Sequence, residues 1–139
     1  MSFEIHANHF ILNKRDEDNL KKAAAELFNI LKVSSFEVEL IFVNEKKISK
    51  LNSDYRAQEQ VTDVLSFVIE KQPLIGQIFI CPPVAEKEAF RKGILPKQEI
   101  LNLLIHGLVH LLGYDHQTAI ERFEMEKIES LMLKKEEND

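Results

Sequence analysis

A chain of 139 residues, 45% hydrophobic and 29% charged, has the composition of one soluble globular domain large enough to bury a core without disulfides. Its single cysteine, Cys81, excludes an internal disulfide framework. The N-terminus lacks the basic-then-apolar pattern of a secretion signal, and Ile100 to Leu112, the most apolar segment, is interrupted by Asn102, His106 and His110, so a cytoplasmic protein without a membrane span is expected. A net charge of −5 excludes nucleic-acid binding through the field of the whole molecule and leaves only a local basic face, for which Lys46, Lys47, Lys50 and Arg56 are the candidates.

Phe3 to Asn8 alternates weakly and reads as a first strand. Asn13 to Asp18 holds turn and capping residues, with Asp16 or Asp18 as the expected cap of a helix. In that helix Leu20, Ala23, Ala24, Leu27, Ile30 and Leu31 form one face, and it ends near Val33, broken by Ser34 and Ser35. Phe36 to Val43 starts in strict alternation and finishes fully apolar, as a strand entering a covered sheet does. Asn44 can cap a helix with Ile48 and Leu51 inward, and the polar stretch Asp54 to Gln60 reads as a loop.

Val64 to Ile69 and Ile75 to Ile80 predict two strands that pair antiparallel across a turn containing Pro73. Pro82 and Pro83 stop the second and open a helix through Arg91, while Gly93 and Pro96 bracket the connection to a long helix over Lys97 to Leu112 that Gly113 terminates. Thr118 to Lys135 reads as a last amphipathic helix, with Ile120, Phe123, Ile128, Leu131 and Met132 on its apolar face. The expected fold is α+β: a single domain over residues 1–139, with a small four-stranded mixed sheet packed by about five helices.

Three of the five histidines fall at the C-terminal end of the long helix. Residues four apart share a helix face, so His106 and His110 can aim their imidazoles at a common point about one turn apart. Gly113 permits the left-handed conformation that ends the helix and lets the chain return His116 to that point. Three histidines leave a coordination position open on a zinc-type ion, which lowers the pKa of a bound water to about 7 and suits hydrolysis; nickel, copper and manganese accept the same donors. His6 and His9 read as ordinary strand or surface residues.

The spacing His-x3-His-x2-Gly-x2-His is shared with metzincin proteases, which carry a glutamate after the first histidine as general base; here that residue is Gly107, and peptide hydrolysis loses its water-activating carboxylate. The segment that ends in Gly113-Tyr114-Asp115-His116 resembles instead the YbeY family of rRNA maturation endoribonucleases. Leu51-Asn52-Ser53-Asp54-Tyr55-Arg56, Thr62-Asp63-Val64-Leu65-Ser66-Phe67 and Ile75-Gly76-Gln77-Ile78 are similar to that family's further motifs, over roughly Lys50 to Gln117. Val61 stands where a proline is usual, Val109 where a leucine is usual, and Gln77 where an aspartate is usual, which removes a carboxylate that would help order the site.

The resemblance implies metal-dependent cleavage of single-stranded RNA, with zinc preferred by the donor set, in maturation of the small-subunit rRNA 3′ end and ribosome quality control, with the small subunit or its associated proteins as partners. Arg56 is then the candidate clamp on phosphoryl oxygens, Asp115 the candidate base or acceptor from a ligating histidine, and Lys46, Lys47 and Lys50 the candidate RNA-binding cations. Thr62, Asp63 and Ser66 read as structural, with Ser66 satisfying backbone. A non-catalytic, metal-stabilised ribosome-assembly factor and a metallohydrolase of peptides or small molecules are the alternative readings.

Overall fold

The computed structural model describes residues 1–56, 64–113 and 126–128, with Tyr55 and Arg56 defined in their backbone only. Among them the elements run β1 (Ser2–His6), α1 (Lys14–Ile30), β2 (Phe36–Phe42), α2 (Glu45–Arg56), β3 (Val64–Lys71), β4 (Leu74–Ile80), α3 (Pro82–Lys92) and α4 (Pro96–Leu111), with residues 126–128 also helical. The sheet is mixed, in the order β1-β2-β4-β3: β1, β2 and β4 are parallel, and β3 pairs antiparallel with β4 around the turn at Gln72 and Pro73. The α+β architecture with a four-stranded mixed sheet is therefore as the sequence predicts. The last predicted helix, apart from residues 126–128, lies outside the described residues.

Alternation divides the sheet into two faces. Val38, Leu40, Phe42, Leu74, Ile78 and Ile80 point to one side, where they form the main core with Leu20, Leu27 and Phe28 of α1 and Leu104, Leu108 and Leu111 of α4. Leu65 and Phe79 point to the other, where Ile48 and Leu51 of α2 close a smaller cluster with Val43 and Cys81. Helices α1 and α4 thus cover one face and α2 part of the other. Burial holds the Cys81 thiol above its ordinary pKa, so it is an inert core side chain.

Three boundaries differ from the sequence reading for local reasons. The cap of α1 is Asn13, whose side chain accepts from the Asp16 amide at 2.8 Å, so Asp16 and Asp18 lie inside the helix, where acids favour its N-terminal dipole. The same helix stops at Ile30, ahead of the serines, because Lys32 takes a left-handed φ of 59° and the Val33 amide returns to the Phe28 carbonyl at 2.8 Å. Helix α2 continues through Asp54 to Arg56; the exposure of Ser53 and Asp54 beside buried Leu51 and Asn52 explains why an outward-facing final turn reads as a polar loop. Asn44 caps α2 as expected, accepting from the Lys47 amide at 2.8 Å.

The turn from α3 into α4 is held by a buried carboxylate. Glu99 is fully buried, and Lys92 Nζ donates to both of its oxygens at 3.0 Å while Asn102 Nδ2 donates at 3.3 Å. Lys92→Met strands that charge, so the unfolding free energy from urea titration is expected to fall by about 2 kcal/mol, with much of the loss recovered when Glu99→Leu is added. Similar losses in the single and double variants would show that the pair is not coupled.

Candidate metal centre

Helix α4 is buried on most sides: Leu103, Leu104, Ile105, Gly107, Leu108, Val109 and Leu111 are all covered. Asn102, His106 and His110, spaced by four, make a half-buried polar seam along it. The imidazoles of His106 and His110 lie with ring centroids 4.7 Å apart and planes inclined at 73°. Two half-buried imidazoles on one face, one turn apart, are the donor set two ligands of a shared transition ion require, so the residues present fit a metal. Past the cap residue Leu112, Gly113 adopts a φ of 98°, the left-handed conformation expected of it. Asp115 and His116 lie outside the described residues.

Gly107 sits between the two histidines but faces the sheet. A Cβ there would stand 3.0 Å from Ile78 Cγ2 and 3.0 Å from Ser66 Oγ, and the Ser66 hydroxyl donates to the Gly107 carbonyl at 3.2 Å. Position 107 therefore serves close helix–sheet packing, and a long side chain such as a glutamate base would be driven against Ile78 and Ser66. Ser66 satisfies backbone as the sequence suggests, tying β3 to α4 at the level of the histidine pair. One turn further along α4, Leu111 packs against Gly76, where a Cβ would come within 2.9 Å of Leu111 Cδ2.

Gln77 points the other way. Its neighbours Gly76 and Ile78 face α4, so Gln77 lies on the opposite side of the sheet, where Nε2 donates to Glu39 Oε1 at 3.4 Å. An aspartate at this position would stand on the face of the sheet opposite α4, which carries the histidine pair.

The remaining candidates lie on or beside α2. Lys46, Lys47 and Lys50 are exposed on its outer side, and Arg56 is its last residue, after which β3 begins at Val64. Leu65, under α2, and Ser66, bonded to α4, are neighbours on β3, so that strand joins the two helices across the sheet. Thr62 and Asp63 lie outside the described residues. A groove of about 900 Å³ lined by Phe10, Leu20, Phe42, Pro96, Ile100 and Leu101 opens near the N-terminal end of α4, away from the histidines near its C-terminal end.

A second group of potential ligands, which the sequence did not disclose, lies on the open part of the sheet. Glu4, His6 and Glu39 bring a carboxylate oxygen, an imidazole nitrogen and a carboxylate oxygen within 4.8 Å of one another. His6, a residue of β1, lies beside both carboxylates on the sheet surface. The signal was unreadable in the sequence because it depends on the register that sets Glu4 opposite Glu39.

The family model described as endoribonuclease YbeY matches residues 4–137, nearly the whole chain. The chain belongs to the endoribonuclease YbeY family. A YbeY endoribonuclease of Finegoldia magna is 41% identical over 113 residues, covering 78% of this chain and 74% of that one. The Persephonella marina relative is 33% identical over 124 residues, covering 81% of each chain. The solution structure of TM1509 from Thermotoga maritima superposes with a TM-score of 0.71 at 28% identity, covering 97% of this chain and 89% of that one. The YbeY fold thus extends beyond the motifs around the histidines to the N-terminal strand and helix. No helix among the described residues is long and apolar enough to cross a membrane.

Proposed function

We propose that this YbeY-family protein is a metal-dependent endoribonuclease that cuts single-stranded RNA in maturation of the small-subunit rRNA 3′ end. The observation that carries the reading is the paired, half-buried imidazoles of His106 and His110 on a rigid, buried helix, in a chain whose relatives are named endoribonucleases. His106, His110 and His116 hold the ion, zinc by donor preference. When bound, it supplies Lewis-acid polarisation of a phosphoryl oxygen and lowers the pKa of water.

The chain's own groups do the rest. Arg56 donates paired hydrogen bonds to the phosphoryl oxygens as charge develops on them, and Asp115 orients a ligating imidazole or takes the proton of the attacking water. Lys46, Lys47 and Lys50 neutralise flanking phosphates along exposed α2, giving a chain of net charge −5 a local hold on RNA. The ribosomal small subunit supplies the substrate, and the protein works in the cytoplasm. Gly107, filled by packing where a protease has its base, weighs against peptides as substrates.

The test is cleavage of labelled single-stranded and duplex RNA by chelator-stripped protein before and after zinc is restored. Zinc-dependent cutting of the single strand alone is expected; no cutting in either state overturns the nuclease reading in favour of an assembly factor. For the lysines, the combined Lys46→Glu, Lys47→Glu, Lys50→Glu variant is expected to lessen the salt dependence of RNA binding by a slope of about 2, three phosphate contacts at roughly 0.7 each. An unchanged slope removes α2 from the RNA path.

A further inference from the structure

The geometry points to a second metal site, distinct from the histidine centre of α4, formed by Glu4, His6 and Glu39 on the open side of the sheet and suited to a divalent transition ion such as zinc, cobalt or manganese. Glu4 and Glu39 stand directly opposite each other on the parallel strands β1 and β2, so the register places two like charges side by side, an arrangement that costs stability unless a positive partner, the protonated imidazole of His6 or a bound ion, lies between them. His6, two residues along β1 on the same side, brings its Nε2 to 2.9 Å from Glu39 Oε2 and 3.7 Å from Glu4 Oε2. Ligand bonds of about 2.0–2.2 Å around a tetrahedral ion set neighbouring donor atoms about 3.3 Å apart. The two separations from His6 straddle that value and all three donor atoms lie within 4.8 Å of one another, so the side chains can close on an ion with the strands in place.

The surroundings support an ion as well. Gln77 lies in the same cross-strand row, opposite Glu39 on β4, and its amide donates to Glu39 Oε1, which orients the carboxylate and leaves Oε2 turned to His6. A hydrogen bond of this kind from outside the ligand set is what fixes the ligands of metal sites. His6 and Glu39 are 43% and 42% exposed, which gives an ion a path from solvent and leaves room for water in the remaining positions. One imidazole with two carboxylates selects a borderline divalent ion; calcium and magnesium prefer all-oxygen shells. The site faces away from α4, so the two centres are separated by the sheet.

The proposal stands apart from the nuclease reading, and its test does not use activity. Chelator-stripped full-length protein is dialysed against zinc, and bound metal is measured for wild type, His6→Gln, Glu39→Gln and His110→Ala. His6→Gln and Glu39→Gln, both at exposed positions, are each expected to bind one ion fewer per chain than wild type, while His110→Ala keeps the ion that they lose. Substoichiometric manganese is expected to broaden the backbone amide signals of residues 4–6 and 37–41 in wild type and to spare them in His6→Gln. Equal metal content in wild type, His6→Gln and Glu39→Gln, or no broadening on β1 and β2, overturns the second site, whether or not His110→Ala folds.

Discussion

Gly107→Glu, which restores the glutamate of the protease motif, is expected to unfold the protein and to yield no peptidase. The glycine lies where α4 rests on β3 and β4, with Ile78 and Ser66 at 3.0 Å from the position of any Cβ. A glutamate must push α4 off the sheet, break the Ser66 hydroxyl's bond to the Gly107 carbonyl, and bury a carboxylate against Ile78. Overpacking costs about 1–3 kcal/mol and an unpaired buried charge several more, together a large part of the stability of a domain of this size. Gly107→Ala is the graded control: it gains about 1 kcal/mol of helix propensity and loses a similar amount to crowding, so its urea midpoint is expected close to wild type. A Gly107→Glu protein with a wild-type unfolding midpoint would show that the contact between α4 and the sheet is not close.

The second large effect concerns the histidine seam. His110→Ala removes one of the two imidazoles that share a face of α4, and is expected to lower metal affinity by on the order of 100-fold or more. RNA cleavage is expected to fall by on the order of 10³-fold, equivalent to about 4 kcal/mol of transition-state stabilisation. The fold should persist, because His110 is half-buried and the covered residues of α4 are untouched. Arg56→Ala separates the roles: the metal stays, and cleavage drops by roughly 10²- to 10³-fold, the usual cost of one donor to a developing oxyanion.

How much of this was legible in the sequence follows the range of the interaction involved. The strands could be read because alternation in Phe36 to Phe42 and a turn with Pro73 are local signals, and the histidine pair could be read because a spacing of four has one meaning on a helix. Asn13, rather than an aspartate, caps α1 because the competition among adjacent capping residues is settled by where the apolar face must dock on the sheet. Gly107 could be read as a missing base but not as a packing requirement, since Ile78 and Ser66 reach it only through the tertiary fold. The group of Glu4, His6 and Glu39 was invisible for the same reason: a parallel register pairs residues of β1 with residues 35 positions further along the chain, as in Glu4 and Glu39.

The measurement that bears most directly on the central claim is single-stranded RNA cleavage by highly purified wild type, His110→Ala and Arg56→Ala, with metal content assayed in the same preparations. Wild type is expected to cut, His110→Ala to lose cutting together with the α4-bound ion, and Arg56→Ala to keep its full metal content and lose cutting. Equal cutting by all three preparations would assign the activity to a contaminant and leave the metal of α4 a structural role in ribosome assembly.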